Sequence, residues 1–131
     1  MAFTFENVLV VDDDLSQAPL WEIIFHRHSR SSRLEWAVSS EEARRLLRGP
    51  KRFDLIIADL FLAGPGTGIE FLNCDEVREL GAQTILVSNA EGAKLEKHCS
   101  EVLPFTRVIS KPLNVVKCER VLAQMVRTEI L

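Results

Sequence analysis

Five residues of this sequence carry side chains that could take part in one reaction, and each lies at or just after the end of a short apolar run. They are Asp12, Asp13, Asp59, Ser88 and Lys111. Carboxylates that are brought together repel one another, so the pKa of at least one rises unless a cation joins them. Mg²⁺ suits such a group because it favours oxygen ligands, keeps several waters, and typically lies between one or two carboxylates and a phosphate. These residue types therefore predict a Mg²⁺ site with a hydroxyl and an ammonium group beside it.

The apolar runs before these residues are predicted to be β-strands, separated by helix-like stretches. The predicted strands cover residues 7–11, 34–38, 54–58, 84–88 and 106–110. Four of them are almost continuously apolar, as strands buried on both faces are, whereas the second run is more polar and indicates an edge strand. Strands that alternate with helices imply right-handed crossovers and a parallel sheet covered on both faces. The predicted fold class is α/β and doubly wound, with ligands bound at the carboxyl ends of the strands.

Five helices are predicted, and the first two have clear end signals. The first begins near Ser16, with Pro19 tolerated because amides of the first turn lack intrahelical partners. The second begins with Ser39 and Glu42 at the spacing of a capping box. The other three are predicted over residues 69–80, which end before Gly81, over residues 90–102, and from Pro112 to the C-terminus.

Composition and charge narrow the class of protein. The 131 residues are 47% hydrophobic and 27% charged, which suits one globular domain over residues 1–131. No apolar run approaches the roughly 18 residues of a membrane span, and no signal peptide is recognised, so we expect a cytoplasmic protein without membrane contact. A net charge of -3 without a basic block argues against direct nucleic-acid binding. Three widely spaced cysteines without a Cys-x-x-Cys pair predict free thiols.

Four segments of the chain resemble the signature segments of response-regulator receiver domains of two-component signalling systems, in particular the single-domain, chemotaxis-regulator-like type. They are residues 8–14 (VLVVDDD), 53–60 (FDLIIADL), 86–90 (LVSNA) and 109–112 (ISKP). Each segment alone is weak evidence, but the four in this order, with helix-sized gaps, are jointly specific. The resemblance covers nearly the whole chain. It implies a flavodoxin-like (βα)5 fold whose five-stranded parallel sheet has the order 2-1-3-4-5.

The resemblance also implies a role for each of the chemically active residues. Asp59 would be the phospho-acceptor, attacking a phosphorylated donor as a carboxylate nucleophile. Ser88 and Lys111 would be fixed donors to the phosphoryl oxygens, with Lys111 directed into the site by a cis peptide before Pro112. Mg²⁺ would neutralise charge on the transferring group. Its predicted ligands are Asp12, Asp13, Asp59 and the backbone carbonyl of Phe61.

Partners follow from the same resemblance. The phosphoryl donor would be a histidine kinase or a histidine phosphotransfer protein, and the output would be contact with a downstream protein that the sequence does not identify. Such a domain is not an enzyme towards other substrates, because it catalyses only its own phosphorylation and dephosphorylation. The expected function is therefore that of a phosphoprotein in a phosphorelay.

Some residues depart from the receiver pattern. Ala63 stands where a proline is usual, and the loop before Gly68 is one residue longer. Asn89 replaces a small residue, and Val108 occupies the position of an aromatic residue that swings inward on activation. These departures leave open a second interpretation, a degenerate receiver-like interaction module that works without phosphorylation.

Residues of this sequence exclude two other classes of protein, haloacid-dehalogenase-type hydrolases and flavin carriers. Haloacid-dehalogenase-type hydrolases need a second Asp two residues after the nucleophile, and Phe61 stands there. A flavin carrier on this fold needs a Ser/Thr-rich phosphate loop after the first strand. The aspartates at residues 12–14 would repel that phosphate.

Overall fold

The computed structural model of the chain describes residues 5–28, 32–62, 66–89, 94, 97, 100–101 and 106–130, with side chains described as far as residue 125. Its centre is a parallel sheet. The strands are β1 (Asn7–Val11), β2 (Arg33–Ala37), β3 (Leu55–Asp59), β4 (Gln83–Ser88) and β5 (Thr106–Ser110). Their order is β2-β1-β3-β4-β5, and every neighbouring pair is parallel. The predicted doubly wound fold and the predicted edge strand are both confirmed.

Helices cover both faces of this sheet. They are a 3-10 helix (Leu15–Gln17), α1 (Ala18–His28), α2 (Ser40–Leu47), α3 (Gly68–Leu72), α4 (Asp75–Leu80) and α5 (Val115–Ile130). Pro19 lies in the first turn of α1, as predicted. The hydroxyl of Ser39 accepts a hydrogen bond from the Glu42 N–H and caps α2. Within the described parts of the chain, no helix is both long enough and apolar enough to cross a membrane.

The single helix predicted over residues 69–80 is wrong, because two short helices occupy this range. Asn73 ends α3 with a non-helical backbone, and its side-chain amide donates to the carbonyl of Glu101 at 3.1 Å. Cys74 is extended and begins α4 anew. The extended backbone of Cys74 cannot continue the helical hydrogen bonds of α3, so the two helices are separate. Most of the predicted helix over residues 90–102 lies outside the described residues. The residues of this range that are described, 94, 97, 100 and 101, are all helical.

The core consists of two apolar layers, one on each face of the sheet. Successive strand residues point to opposite faces, so Val8 packs with the α1 and α5 side while Leu9 packs with the α2 to α4 side. Trp21 of α1 and Leu122 of α5 are buried in the first layer. Burial on both faces explains why β1, β3 and β4 are so apolar. Polar side chains are therefore accommodated where the strands end. The prediction that β5 is also buried on both faces is wrong, because β5 is the second edge of the sheet and its Arg107 is exposed.

Candidate functional site

Asp12 follows β1 and is held by its backbone and by its side chain. It is only 5% exposed. Its N–H donates to the Ala37 carbonyl of β2 at 2.9 Å, and its Oδ1 accepts the Asp14 N–H at 2.9 Å. Asp14 in turn caps the 3-10 helix by accepting the Ser16 N–H at 3.0 Å. Two consecutive side-chain-to-backbone turns thus fix the segment between β1 and α1.

Asp59 ends β3 and is also 5% exposed. Its Oδ1 accepts the Phe61 N–H at 3.2 Å, and its Oδ2 accepts a hydrogen bond from the Lys111 ammonium at 2.7 Å. The backbone beside it is tightly packed, because a Cβ atom on Gly68 would lie 2.1 Å from the Asp59 carbonyl oxygen. The Gly68 N–H donates to the Leu60 carbonyl at 2.8 Å. Gly68 therefore allows α3 to begin directly against the acceptor segment.

Lys111 reaches Asp59 from the end of β5. Its N–H donates to the Ser88 carbonyl at 2.7 Å, and the Lys111–Pro112 peptide is cis, as the resemblance implies. The ammonium of Lys117, in α5, donates to the carbonyls of Ser110 at 2.9 Å and Pro112 at 3.0 Å. Ser88 is fully buried at the end of β4. The carbonyls on either side of Lys111 are thus tied to α5.

The charges of the site influence one another. Burial raises the pKa of Asp12 to about 6; the Asp14 N–H opposes this shift, and the charge of Asp59 adds to it. Burial lowers the pKa of Lys111, but the hydrogen bond to Asp59 and the charges of Asp59 and Asp12 outweigh it, so the net shift is upward. At neutral pH, Lys111 therefore carries its charge and pairs with Asp59.

The fit of Mg²⁺ to this site rests on Asp12 and Asp59. Both are buried carboxylates whose charges interact, and a cation between them would offset the cost that raises the pKa of Asp12. Asp13 is exposed beside Asp12. Within the described ranges, no three His, Cys, Asp or Glu side chains form a group that could hold a metal ion. One or two carboxylates with waters and a phosphate are the usual surroundings of Mg²⁺, so the donors that converge here still suit it.

The residues that depart from the receiver pattern differ in their surroundings. Val108 is partly buried and packs against the core on the α2 to α4 side. Asn89 and Phe61 are exposed, Phe61 to 64%. Ala63, with the added residue of its loop, lies outside the described residues. Among the described residues of this group, Val108 alone packs against the core.

Three residues around the site were not predicted as part of it: Trp36, Gly68 and Lys117. Trp36 was predicted only as part of an edge strand, and no local signal marks a side chain that reaches a neighbouring strand end. In the sequence, Gly68 marked only the end of a loop that is one residue longer than usual. Lys117 looks like a surface lysine in the sequence, because its contacts depend on how α5 meets β5.

No protein-family model matches the chain, and neither does any curated protein sequence. Solved structures do resemble it. A chemotaxis response regulator of Vibrio cholerae has a TM-score of 0.76 at 21% identity, over 93% of this chain and 99% of that one. A CheY-like response regulator receiver domain protein of Methanospirillum hungatei JF-1 has a TM-score of 0.73 at 18% identity, over 97% and 98%. A response regulator receiver protein of Sinorhizobium medicae WSM419 has a TM-score of 0.75 at 15% identity, over 92% and 94%.

These TM-scores, over more than nine-tenths of each structure, show that the chain shares their fold. The likeness extends across both helix layers, because more than nine-tenths of the chain is covered in each case. The chain therefore has the flavodoxin-like fold of CheY-like response-regulator receiver domains.

Proposed function

We propose that the chain is a phospho-accepting receiver domain of a two-component or phosphorelay system, with Asp59 as the acceptor. The observation that carries this proposal is the pairing of the buried Asp59 carboxylate with the Lys111 ammonium at 2.7 Å. A structural ion pair would have the same contact. The pair of Asp59 and Lys111 lies at the carboxyl edge of the sheet, next to Asp12 and at the end of the central strand, and this position favours a reactive role over a structural one.

In the proposed reaction, an Asp59 carboxylate oxygen attacks the phosphorus of the donor. The new bond joins this oxygen to phosphorus, and the bond between phosphorus and the donor's leaving group breaks. Lys111 keeps a positive charge close to the oxygens that gain negative charge, and the Ser88 hydroxyl is the second proposed donor. Such transfer depends mainly on positioning and electrostatics, and no group of the site needs to move a proton from the nucleophile.

The metal proposed for this reaction is Mg²⁺, held by Asp12, Asp13, Asp59 and the Phe61 carbonyl. When bound, it would neutralise charge on the transferring phosphoryl group. Asp12 supports this proposal most directly, because its buried carboxylate has a raised pKa that a bound cation would reverse. Exposed Asp13 would act through the bound waters that Mg²⁺ keeps or by a local rotation.

The biological setting is part of the same proposal. The donor would be a histidine kinase or a histidine phosphotransfer protein, in the cytoplasm, and the output would be contact with a downstream protein. The chain would catalyse only its own phosphorylation and dephosphorylation.

The mass of the intact protein tests this function. The full chain is incubated with Mg²⁺ and acetyl phosphate, and we expect one added phosphoryl group. Asp59→Asn should abolish the addition because the nucleophilic oxygen is lost. Asp75→Asn is the matched control, since Asp75 is an exposed aspartate at the start of α4. Addition that persists in Asp59→Asn, or that disappears equally in both variants, would contradict the proposal.

The second candidate is the interaction module that works without phosphorylation. Val108 favours it, because a short branched side chain that packs against the core cannot make the large rotation of an aromatic ring. A wild-type chain that takes up no phosphoryl group from acetyl phosphate or from a phosphorylated phosphotransfer protein would support this candidate.

A further inference from the structure

Trp36 connects the edge strand to the acidic end of β1. Its indole Nε1–H donates to the backbone carbonyl of Asp12 at 2.8 Å. The N–H of Asp12 donates to the carbonyl of the next residue of β2, Ala37, at 2.9 Å. Both backbone polar groups of Asp12 are therefore bonded to β2, one through the backbone of that strand and one through a side chain.

The hydrogen bond from Trp36 fixes a peptide that the sheet itself leaves free. The paired residues of β1 end at Val11, so the Asp12 carbonyl lies beyond the regular ladder. The Trp36 ring is partly buried and packs against the core layer on the α1 side, which restricts its rotation. A rigid donor thus holds the orientation of the peptide that joins Asp12 to Asp13.

This peptide carries both of the neighbouring carboxylates that the proposed function assigns to Mg²⁺. The orientation of this peptide is set by ψ of Asp12 and φ of Asp13, and these torsions determine how the Asp13 side chain is directed relative to that of Asp12. The Asp14 N–H, which lies one peptide further along the chain, is bonded to Asp12 Oδ1, so a change in these torsions would also disturb this bond. A change in the orientation of metal ligands lowers metal affinity, because the partners that orient the ligands contribute strongly to that affinity.

We propose that Trp36 is a positioning residue that holds the Asp12–Asp13 peptide in the orientation needed to bind Mg²⁺. This inference rests on the proposed function. Trp36 does not contact the phosphoryl group, so it acts on Mg²⁺ affinity and not on the transfer step itself. Loss of the indole donor should therefore slow phosphorylation when Mg²⁺ is limiting and leave the rate at saturating Mg²⁺ close to that of the wild type.

The sharpest test removes only the N–H group. Replacement of Trp36 by β-(3-benzothienyl)alanine puts sulfur in place of the indole N–H and keeps the size of the ring. The same replacement at Trp21, which is buried among apolar side chains of the core, is the matched control. Titration calorimetry of the full chain should show Mg²⁺ affinity weakened roughly threefold to tenfold at position 36, the loss expected for one net hydrogen bond. The affinity of the Trp21 variant should not change.

A second measurement tests the positioning role of Trp36 without added Mg²⁺. Hydrogen exchange of the Asp14 amide, which is bonded to Asp12 Oδ1, should be faster in the position 36 variant, while the amide of Leu9 in β1 should be unchanged. Equal Asp14 exchange and equal Mg²⁺ affinity in wild type and variant would overturn the inference. A wild type that binds no Mg²⁺ would contradict the proposed metal site, and unchanged Asp14 exchange would then overturn the role of Trp36 separately.

Discussion

At the scale of single residues, Asp12 and Asp59 are equally buried carboxylates with different partners. Asp59 is paired with the Lys111 ammonium, whereas Asp12 accepts a backbone N–H. An ammonium group stabilises a carboxylate charge more than a single amide does. The Lys111 ammonium offsets the charge of Asp59, whereas the charge of Asp12 has no such partner among its hydrogen bonds to the described residues, so Asp12 is the carboxylate that a bound cation would stabilise most.

Replacement of Asp12 by Asn tests this difference between the two carboxylates. The pKa of Asp12 is raised from 3.8 to about 6 in the folded chain, so the folded state binds its proton more tightly than the unfolded state. Asp12 therefore costs little stability below about pH 4; its unfavourable contribution grows as the pH rises from about 4 to 6 and is fully present above 6. In EDTA, Asp12→Asn should match wild type near pH 4 and exceed its free energy of unfolding at pH 7 by up to about 3 kcal/mol.

The measurement is urea unfolding of both proteins at a series of pH values. Added Mg²⁺ should stabilise wild type and leave Asp12→Asn nearly unchanged, because the variant lacks the charge that the cation offsets. A stability difference that does not depend on pH would contradict the interpretation of Asp12.

Gly68 provides a second test at the residue scale. Any side chain there brings Cβ to 2.1 Å from the Asp59 carbonyl oxygen, so the backbone must move. Gly68→Ala should destabilise the fold by about 1–3 kcal/mol and slow phosphoryl uptake at Asp59. Gly49→Ala is a mild control, because its nearest contact would be 3.3 Å. Equal stability and equal uptake in the two variants would show that α3 does not constrain the acceptor.

At the scale of elements, the contact between β5 and α5 sets the position of Lys111. Lys117 in α5 donates to the carbonyls that flank Lys111. Lys117→Met removes these charge-assisted bonds and keeps most of the apolar length of the side chain. We expect phosphoryl uptake to slow by roughly twofold to fivefold and stability to fall by about 1 kcal/mol. Lys117→Arg keeps the donors and should remain close to wild type.

Initial rates of phosphoryl uptake and thermal unfolding of the three proteins provide this comparison. If Lys117→Met equals wild type in both measurements, α5 has no part in positioning Lys111.

β1, β3 and β4 were predictable from the sequence because burial on both faces requires continuous apolar runs. Of the five predicted strands, residues 7–11 and 106–110 match β1 and β5, residues 34–38 and 54–58 are offset by one residue from β2 and β3, and residues 84–88 begin one residue after β4 does. The break between α3 and α4 was missed because no Gly or Pro lies between residues 69 and 80 to mark it. The hydrogen bond of Trp36 was missed for a different reason, since its partner lies 24 positions away. Periodicity reports which face of an element is buried, and it contains no information on such distant hydrogen bonds.

At the scale of the whole molecule, the site collects one contribution from every strand. Asp12 and Lys111 directly follow β1 and β5, β3 ends in Asp59 and β4 in Ser88, and β2 contributes Trp36. The strands are held parallel and in register by two core layers, so their carboxyl ends remain at one edge of the sheet. The geometry of the site is thus a property of the complete sheet.

The central claim is that Asp59, among the clustered aspartates, is the acceptor. It is tested most directly when the acyl phosphate is trapped by reduction. The chain is treated with acetyl phosphate and Mg²⁺, then with sodium borohydride, which converts an aspartyl phosphate to homoserine, and its peptides are sequenced by mass spectrometry. We expect homoserine at position 59 only, and none when the phosphodonor is omitted. Homoserine at position 12, 13 or 14, or at no position in a chain that has gained phosphate, would contradict the assignment.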